Sequence, residues 1–364
     1  MTTENSLKVI TTVEELRYYL GEAMKLEHAT IPPYITALYS IKPGTNLEAF
    51  HIIRAVAVEE MLHLTLVANV LNAVGGNIKS TLTASDFVPH YPTPLPTGET
   101  DFEVGLIKFS PEAVGTFLNI ERGEEDVSED KPLLVSKDQQ ENILRVLNAD
   151  DPNLTFYSIG AFYGEIVRGL FALHKQMGDA LFCGDPQRQI TPAYYYNGGG
   201  DIIPVTNLDS AIRALTVIQE QGEGSRVGAI YDAERELGHY YRFQQLQKKQ
   251  HYVINKDDPE QSDRPNDPTG ASFEIDWDAV YPLKPNATLS DYPEGSEVYE
   301  AGKEFQKGYS KFLADIEDAF DGNPEKLIPA VGGMFRLKEQ ASHLIRNPMP
   351  GMNGVNAAPI FRLD

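Results

Sequence analysis

Between Thr45 and the Gly75-Gly76 pair the chain has neither proline nor glycine, and Ile53, Val56, Val67, Val70 and Val74 recur at multiples of helical spacing. That period keeps one face of a helix turned inward. Thr45-Asn46-Leu47-Glu48 has the form of a capping box, so a helix is predicted over about 46–75, ending at the glycines. Two polar residues, Glu60 and His63, stand inside the apolar stripe one turn apart. A carboxylate buried without a partner costs several kcal/mol, so this face must meet something that compensates the charge. Glu59 points about 100° away from Glu60 and reads as a surface group or an outer support of the same site.

Three more helical stretches carry the same signature. Thr12-Val13-Glu14-Glu15 is a second capping box, opening a helix over about 12–40 whose inward positions are Leu16, Leu20, Ala23, Glu27, Ile31 and Tyr34. Pro32-Pro33 removes two backbone donors, and a kink is expected there. Asp151-Pro152 supplies a cap and a first-turn proline for a helix over about 152–179, with Glu165 among Ala161, Phe162, Gly169 and Ala172. A fourth helix is predicted over about 226–250, where Glu236 and His239 share a face with Ala229, Ala233, Tyr240, Phe243 and Leu246.

The connecting segments read as insertions. Residues 77–151 hold an extended His90–Pro96 stretch, a short helix from Ser110-Pro111 to about Glu121, and a solvated acidic run over Glu124, Glu125, Asp126, Glu129 and Asp130. Residues 180–225 hold Tyr194–Tyr196, the loop Gly198–Gly200 and a shorter helix from Asn207 to about Gly222. Residues 251–364 read as a polar linker with one strand-like piece, Ser272–Trp277. Two helices follow it, Ser296–Phe320 and Pro324–Ile345, the second weakened by Gly332-Gly333. The expected architecture is all-α: a four-helix bundle core in residues 1–250 carrying the two insertions, and a helical C-terminal extension in 251–364 packed on it.

Two single glutamates and two Glu-x-x-His pairs, one contribution per helix, form the ligand pattern of dinuclear carboxylate bundles. Glu27, Glu60, His63, Glu165, Glu236 and His239 are therefore the candidate metal ligands. Four carboxylates with two imidazoles would neutralise two divalent cations in an apolar interior, and these donors accept iron or manganese alike. A polar cluster holding no metal is the bland alternative. His28 faces away from Glu27 and reads as structural, as does His174. Tyr34, Tyr163 and Tyr240 read as core, with a hydrogen bond to a ligand as the alternative. Glu223, between Gly222 and Gly224, reads as a helix cap or as a group reaching into the site. Cys183 reads as a small hydrophobe, and Gly198–Gly200 lacks any phosphate-binding pattern.

Composition excludes several functions. With 31 Lys and Arg against 53 Asp and Glu, the net charge of −22 disfavours nucleic acid and anionic membrane as partners. The single cysteine excludes an intrachain disulfide and a cysteine-rich metal site. The N-terminal residues lack a signal-peptide pattern and no apolar run reaches transmembrane length, so a cytoplasmic location is expected.

Three blocks, Glu27-His28-Ala29-Thr30-Ile31-Pro32-Pro33-Tyr34, Glu59-Glu60-Met61-Leu62-His63-Leu64 and Ala68–Gly76, resemble the ferritin-like family of iminophenyl-pyruvate dimer synthase domains. Gln221–Gly224, His239-Tyr240-Tyr241-Arg242-Phe243 and Val280-Tyr281-Pro282 look like later landmarks of that family. The resemblance covers most of residues 12–285. It implies a ferritin-like four-helix bundle, a di-iron centre and an oxidoreductase that acts with dioxygen or peroxide on a small organic substrate. In the bisindole pathways of bacterial secondary metabolism, such domains belong to synthases coupling imines of aromatic amino acids, so an aromatic imino or oxo acid is the implied substrate class. The alternative is a non-enzymatic, ferroxidase-like protein that binds and handles iron.

Overall fold

The computed structural model describes residues 9–96, 102–122, 159–223, 230, 236–253 and 267–363. Helix α1 spans Val13–Ser40 and begins with the expected capping box: the Glu15 N–H donates to Thr12 Oγ1, and Glu15 accepts from the Thr12 N–H. The helix runs through Pro32 and Pro33 without interruption. Pro33 has no N–H for the Ala29 carbonyl, and the Tyr91 hydroxyl takes that acceptor instead, at 2.7 Å. Helix α2 spans Leu47–Ala73, but the box predicted at Thr45 does not form. Thr45 Oγ1 turns to the Lys42 carbonyl, and Asn46 takes the cap position with φ 46°. The Asn46 amide exchanges two hydrogen bonds with the backbone of Asp276, which fixes the later chain against the start of α2.

Helix α3 spans Pro111–Ile120, capped by Ser110; α4 spans Ile159–Met177, α5 Leu208–Glu223 and α6 His239–Lys248. Helices α1, α2, α5 and α4 pack in a ring, each against the next and the last against the first. The segment 208–223, predicted to lie within an insertion, thus occupies a bundle position. Helices α3 and α6 pack on each other; α3 also touches α1, and α6 touches α2 and α5. The helix predicted over 226–250 is helical only over His239–Lys248 among the described residues, with Gly238 at its N-cap position. The Asp151-Pro152 start and the acidic run 124–130 lie outside the described residues.

The C-terminal part adds α7 (Glu297–Phe320), α8 (Leu327–Val331) and α9 (Gly333–Ile345), the break falling at Gly332. Helix α9 packs on α7 and α1, and α7 also reaches α2. The strand-like piece at 272–277 makes one isolated bridge, Ser272 to Gln250, and no strand occurs among the described residues. One continuous apolar core runs from Ile10 to Phe361, so the extension shares its interior with the bundle. No described helix is long and apolar enough to cross a membrane.

Candidate metal centre

The core encloses a cluster of charge. Glu27 comes from α1 and Glu60 and His63 from α2; Glu121 caps the C-terminus of α3, and His239 opens α6. Each is at most 5% exposed. Two groups of three donors share Glu60: Glu27, Glu60 and His63 form one, and Glu60, Glu121 and His239 the other. His63 Nδ1 lies 3.3 Å from Glu27 Oε2 and 3.7 Å from Glu60 Oε2. His239 Nδ1 lies 2.9 Å from Glu60 Oε1 and 3.3 Å from Glu121 Oε2. The two imidazoles stand nearly parallel, with centroids 5.4 Å apart and 22° between their planes.

Surrounding residues fix these donors. His63 Nε2 donates to Gln221 Oε1 at 2.8 Å, and Gln221 Nε2 donates to the Gly199 carbonyl. Gly199 has φ 79° and sits so close to α2 that a Cβ would lie 2.9 Å from the Glu59 Cα, so glycine is required there. His239 Nε2 donates to Glu59 Oε2 at 2.8 Å, and Arg242 Nη1 donates to the other Glu59 oxygen at 2.9 Å. Both imidazoles therefore turn Nδ1 toward the cluster. The Tyr163 hydroxyl donates to Glu27 and the Tyr34 hydroxyl to Glu121, while Thr30 Oγ1 donates to Glu60 at 3.1 Å.

Burial raises Glu27, and with the Glu60 charge it outweighs the His63 bond, pushing the carboxyl up to about 7. Burial raises Glu121 in the same way. Glu60 behaves oppositely: its burial is overcome by the bonds and charges of both histidines, which hold it far below the usual carboxylate range. Burial disfavours a charged His63, yet Glu27 and Glu60 raise it to about 10. His239 is likewise raised against its burial by Glu121, Glu59 and Glu60. Burial and the adjacent carboxylates push Tyr34 and Tyr163 well up, so both remain neutral phenols.

This donor set fits divalent metal ions. Among hard carboxylate oxygens, His239 Nδ1 is buried and has no hydrogen-bond partner, although two carboxylate oxygens lie within ion-pair distance. Acceptors converging on an acceptor require a cation between them, either a proton or a metal. Three carboxylates carry −3 toward two divalent ions, and Glu59 behind His239 adds a further charge balanced by Arg242.

The structure brings together four of the six sequence candidates, Glu27, Glu60, His63 and His239, and leaves two apart. Glu165 is buried, but Arg168 at the next turn pairs with both its oxygens at 2.6 and 2.7 Å, and the Ile10 N–H donates to it at 2.7 Å. Its charge is neutralised there, and it anchors the segment leading into α1. Glu236 is exposed, because α6 begins only at His239 and the two residues share no helix face. Glu121 was missed, although Val114, Phe117 and Glu121 follow helical spacing; its signal was the position one turn after a buried phenylalanine. Glu59 is the outer support of His239. His28 is buried but its Nε2 shares a hydrogen bond with the Tyr309 hydroxyl at 2.6 Å, away from the cluster. His174 pairs with Asp179, and Cys183 is exposed. The side chain of Glu223 lies outside the described residues.

The ferritin-like family model matches residues 20–248, a span that contains all five clustered donors. A curated relative, dichlorochromopyrrolate synthase of Lentzea aerocolonigenes, is 25% identical over 338 residues, covering 85% of this chain and 29% of that protein. The chain thus spans under a third of that relative's length. A crystal structure of a ferritin-like protein from Caulobacter vibrioides superposes with a TM-score of 0.59 at 24% identity, covering 92% of this chain and 96% of the other. That likeness concerns the fold.

Proposed function

Because the chain belongs to the ferritin-like family, we propose that it is a dinuclear metal oxidoreductase, with iron as the metal. Its oxidant is dioxygen or peroxide and its substrate a small aromatic imino or oxo acid of secondary metabolism. The observation that carries this reading is the single carboxylate, Glu60, shared by two Glu–His groups inside an apolar core. Glu27, Glu60 and His63 would hold one ion, and Glu60, Glu121 and His239 the other. Two iron ions bound there supply two electrons toward dioxygen or peroxide, a chemistry the side chains themselves lack. Manganese fits the same donors.

The remaining work belongs to the chain. Gln221 and Glu59 keep both Nδ1 atoms aimed inward, so the imidazoles need not reorganise when an ion arrives. Tyr163 and Tyr34 hold their phenolic protons against Glu27 and Glu121, fixing one oxygen of each carboxylate. Tyr34, Phe117 and Phe243 pack on one another and form an apolar wall beside Glu121 that would limit access of water. The segment around Tyr194–Gly200 lies against α2 beside Glu59, and together with residues 77–121 it would select the organic substrate. The synthase relative supports an enzymatic reaction on a small molecule.

Elemental analysis of untagged protein and anaerobic iron(II) titration should give about two ions per chain, with oxygen uptake that depends on added phenylpyruvate and ammonia as an imine source. Less than about 0.2 ions per chain and no binding on titration would overturn the metal reading altogether. Two ions with oxygen uptake indifferent to every organic acid tried would favour the iron-handling alternative.

A further inference from the structure

Gly198, Gly199 and Gly200 carry no phosphate-binding pattern, yet the fold leaves no room for a side chain at any of them. A Cβ on Gly198 would collide with the Tyr196 ring, and one on Gly199 would lie 2.9 Å from both Glu59 Cα and the Val58 carbonyl oxygen. On Gly200 it would lie 3.1 Å from Leu62 and 3.3 Å from Gln221 Nε2. Gly199 and Gly200 also have φ of 79° and 132°. Three glycines thus let the segment lie flat on α2, against the turn that carries Glu59, Glu60 and His63. The Tyr195 hydroxyl donates to the Gly198 carbonyl at 2.6 Å and holds the segment closed.

What this segment offers the centre is one carbonyl. Gly199 O accepts from Gln221 Nε2 at 2.9 Å, and Gln221, buried in the last turn of α5, bonds His63 Nε2 through Oε1 at 2.8 Å. A backbone carbonyl can only accept, so it draws the amide nitrogen and turns the amide oxygen toward His63. That oxygen requires the ring proton on Nε2 and leaves Nδ1 facing Glu27 and Glu60. Turned over, the same amide would offer its N–H to Nε2, keep the ring proton on Nδ1 and close the position to a cation. We propose that Gln221 is a positioning residue with two settings, and that the Gly199 carbonyl selects the one in which His63 can bind metal. Closure of Tyr195–Gly200 on α2 and cation binding at His63 then reinforce each other, by the same factor in both directions. The inference rests on the reading of the cluster as a metal centre, and it adds what controls one of the two positions.

Calorimetric titration with zinc(II), which accepts the same imidazole and carboxylate donors, reads the two positions without any turnover. Q221M keeps the side-chain length and removes both hydrogen bonds; it should weaken the His63 step about 10- to 100-fold and leave the His239 step in place. Y195F alters no atom of Gln221 or of a ligand, and by loosening the segment it should weaken the same step about 5-fold, the worth of one hydrogen bond. The two losses should not multiply: Q221M/Y195F should match Q221M, because the segment acts through the amide, whereas independent structural defects would combine in full. Hydrogen exchange of the amides at 198–200 should slow on zinc loading in the wild type and not in Q221M. An unchanged His63 step in Q221M, losses that multiply, or equal slowing of exchange in both proteins would overturn the inference and leave the metal reading standing. Wild-type protein that binds neither zinc nor iron would overturn both.

Discussion

The Glu27–His63 half of the centre and the Glu121–His239 half share a plan and differ in what stands behind the histidine. Each has a terminal glutamate held by a tyrosine, one oxygen of Glu60, and an imidazole presenting Nδ1. Behind His63 is the neutral amide of Gln221; behind His239 is Glu59, itself paired with Arg242. A carboxylate accepting the outer N–H makes an imidazole a stronger donor than an amide does. The two positions would therefore be unequal, and the His239 side is expected to bind a cation more strongly.

The largest effect should come from removing what the halves have in common. E60A is expected to lose both ions, taking metal content from about two per chain to near zero by elemental analysis; retention of one full ion would show that the halves do not depend on a shared carboxylate. E121A should remove one half only, leaving about one ion per chain. E165A tests the opposite kind of buried glutamate. It leaves Arg168 buried and unpaired, at an expected cost of about 3 to 5 kcal/mol in denaturant unfolding, with metal content unchanged. Loss of metal in E165A without loss of stability would return that residue to the centre.

A finer test weakens one imidazole. E59Q should lower affinity at the His239 position by about 10- to 100-fold, read as a second, weaker step in iron(II) titration, whereas the His63 step stays in place. A pH series sharpens the comparison. The imidazole must lose its proton to take metal, and metal-free His63 holds that proton up to about 10. Affinity should therefore fall as pH decreases from 8 to 6, by about tenfold per unit for each proton displaced. Titration in weakly buffered solution would detect the released protons. E236A should change least, with metal content unaltered and stability within about 0.5 kcal/mol.

Most of the helices and four of the five clustered donors were legible because periodicity reports burial directly: Glu27, Glu60, His63 and His239 fall within apolar stripes, and the structure buries all four. Periodicity does not report the partner. Glu165 interrupts its stripe just as Glu27 does, and only Arg168, one turn along, tells the two apart. Glu236 was placed by extending a helix through Gly238, whereas the glycine marks the residue before the helix begins. Glu121 escaped because its helix is short and the residue sits at its cap, where one turn of spacing is a weak pattern. The bundle position of α5 was hidden for a related reason, since sequence length made 226–250 look like the more substantial helix.

The bond from Tyr91 to the Ala29 carbonyl has a bearing on how the molecule opens and closes. Consecutive prolines leave α1 short of hydrogen bonds one turn from Glu27, and a side chain from the segment after α2 makes up part of the deficit. Helix and segment thus belong to one cooperative unit in local unfolding. Amide protons in the middle of α1 should exchange with solvent at a rate set by detachment of the segment holding Tyr91, which ties the mobility of a ligand-bearing helix to a stretch of chain that looked like an ornament on it.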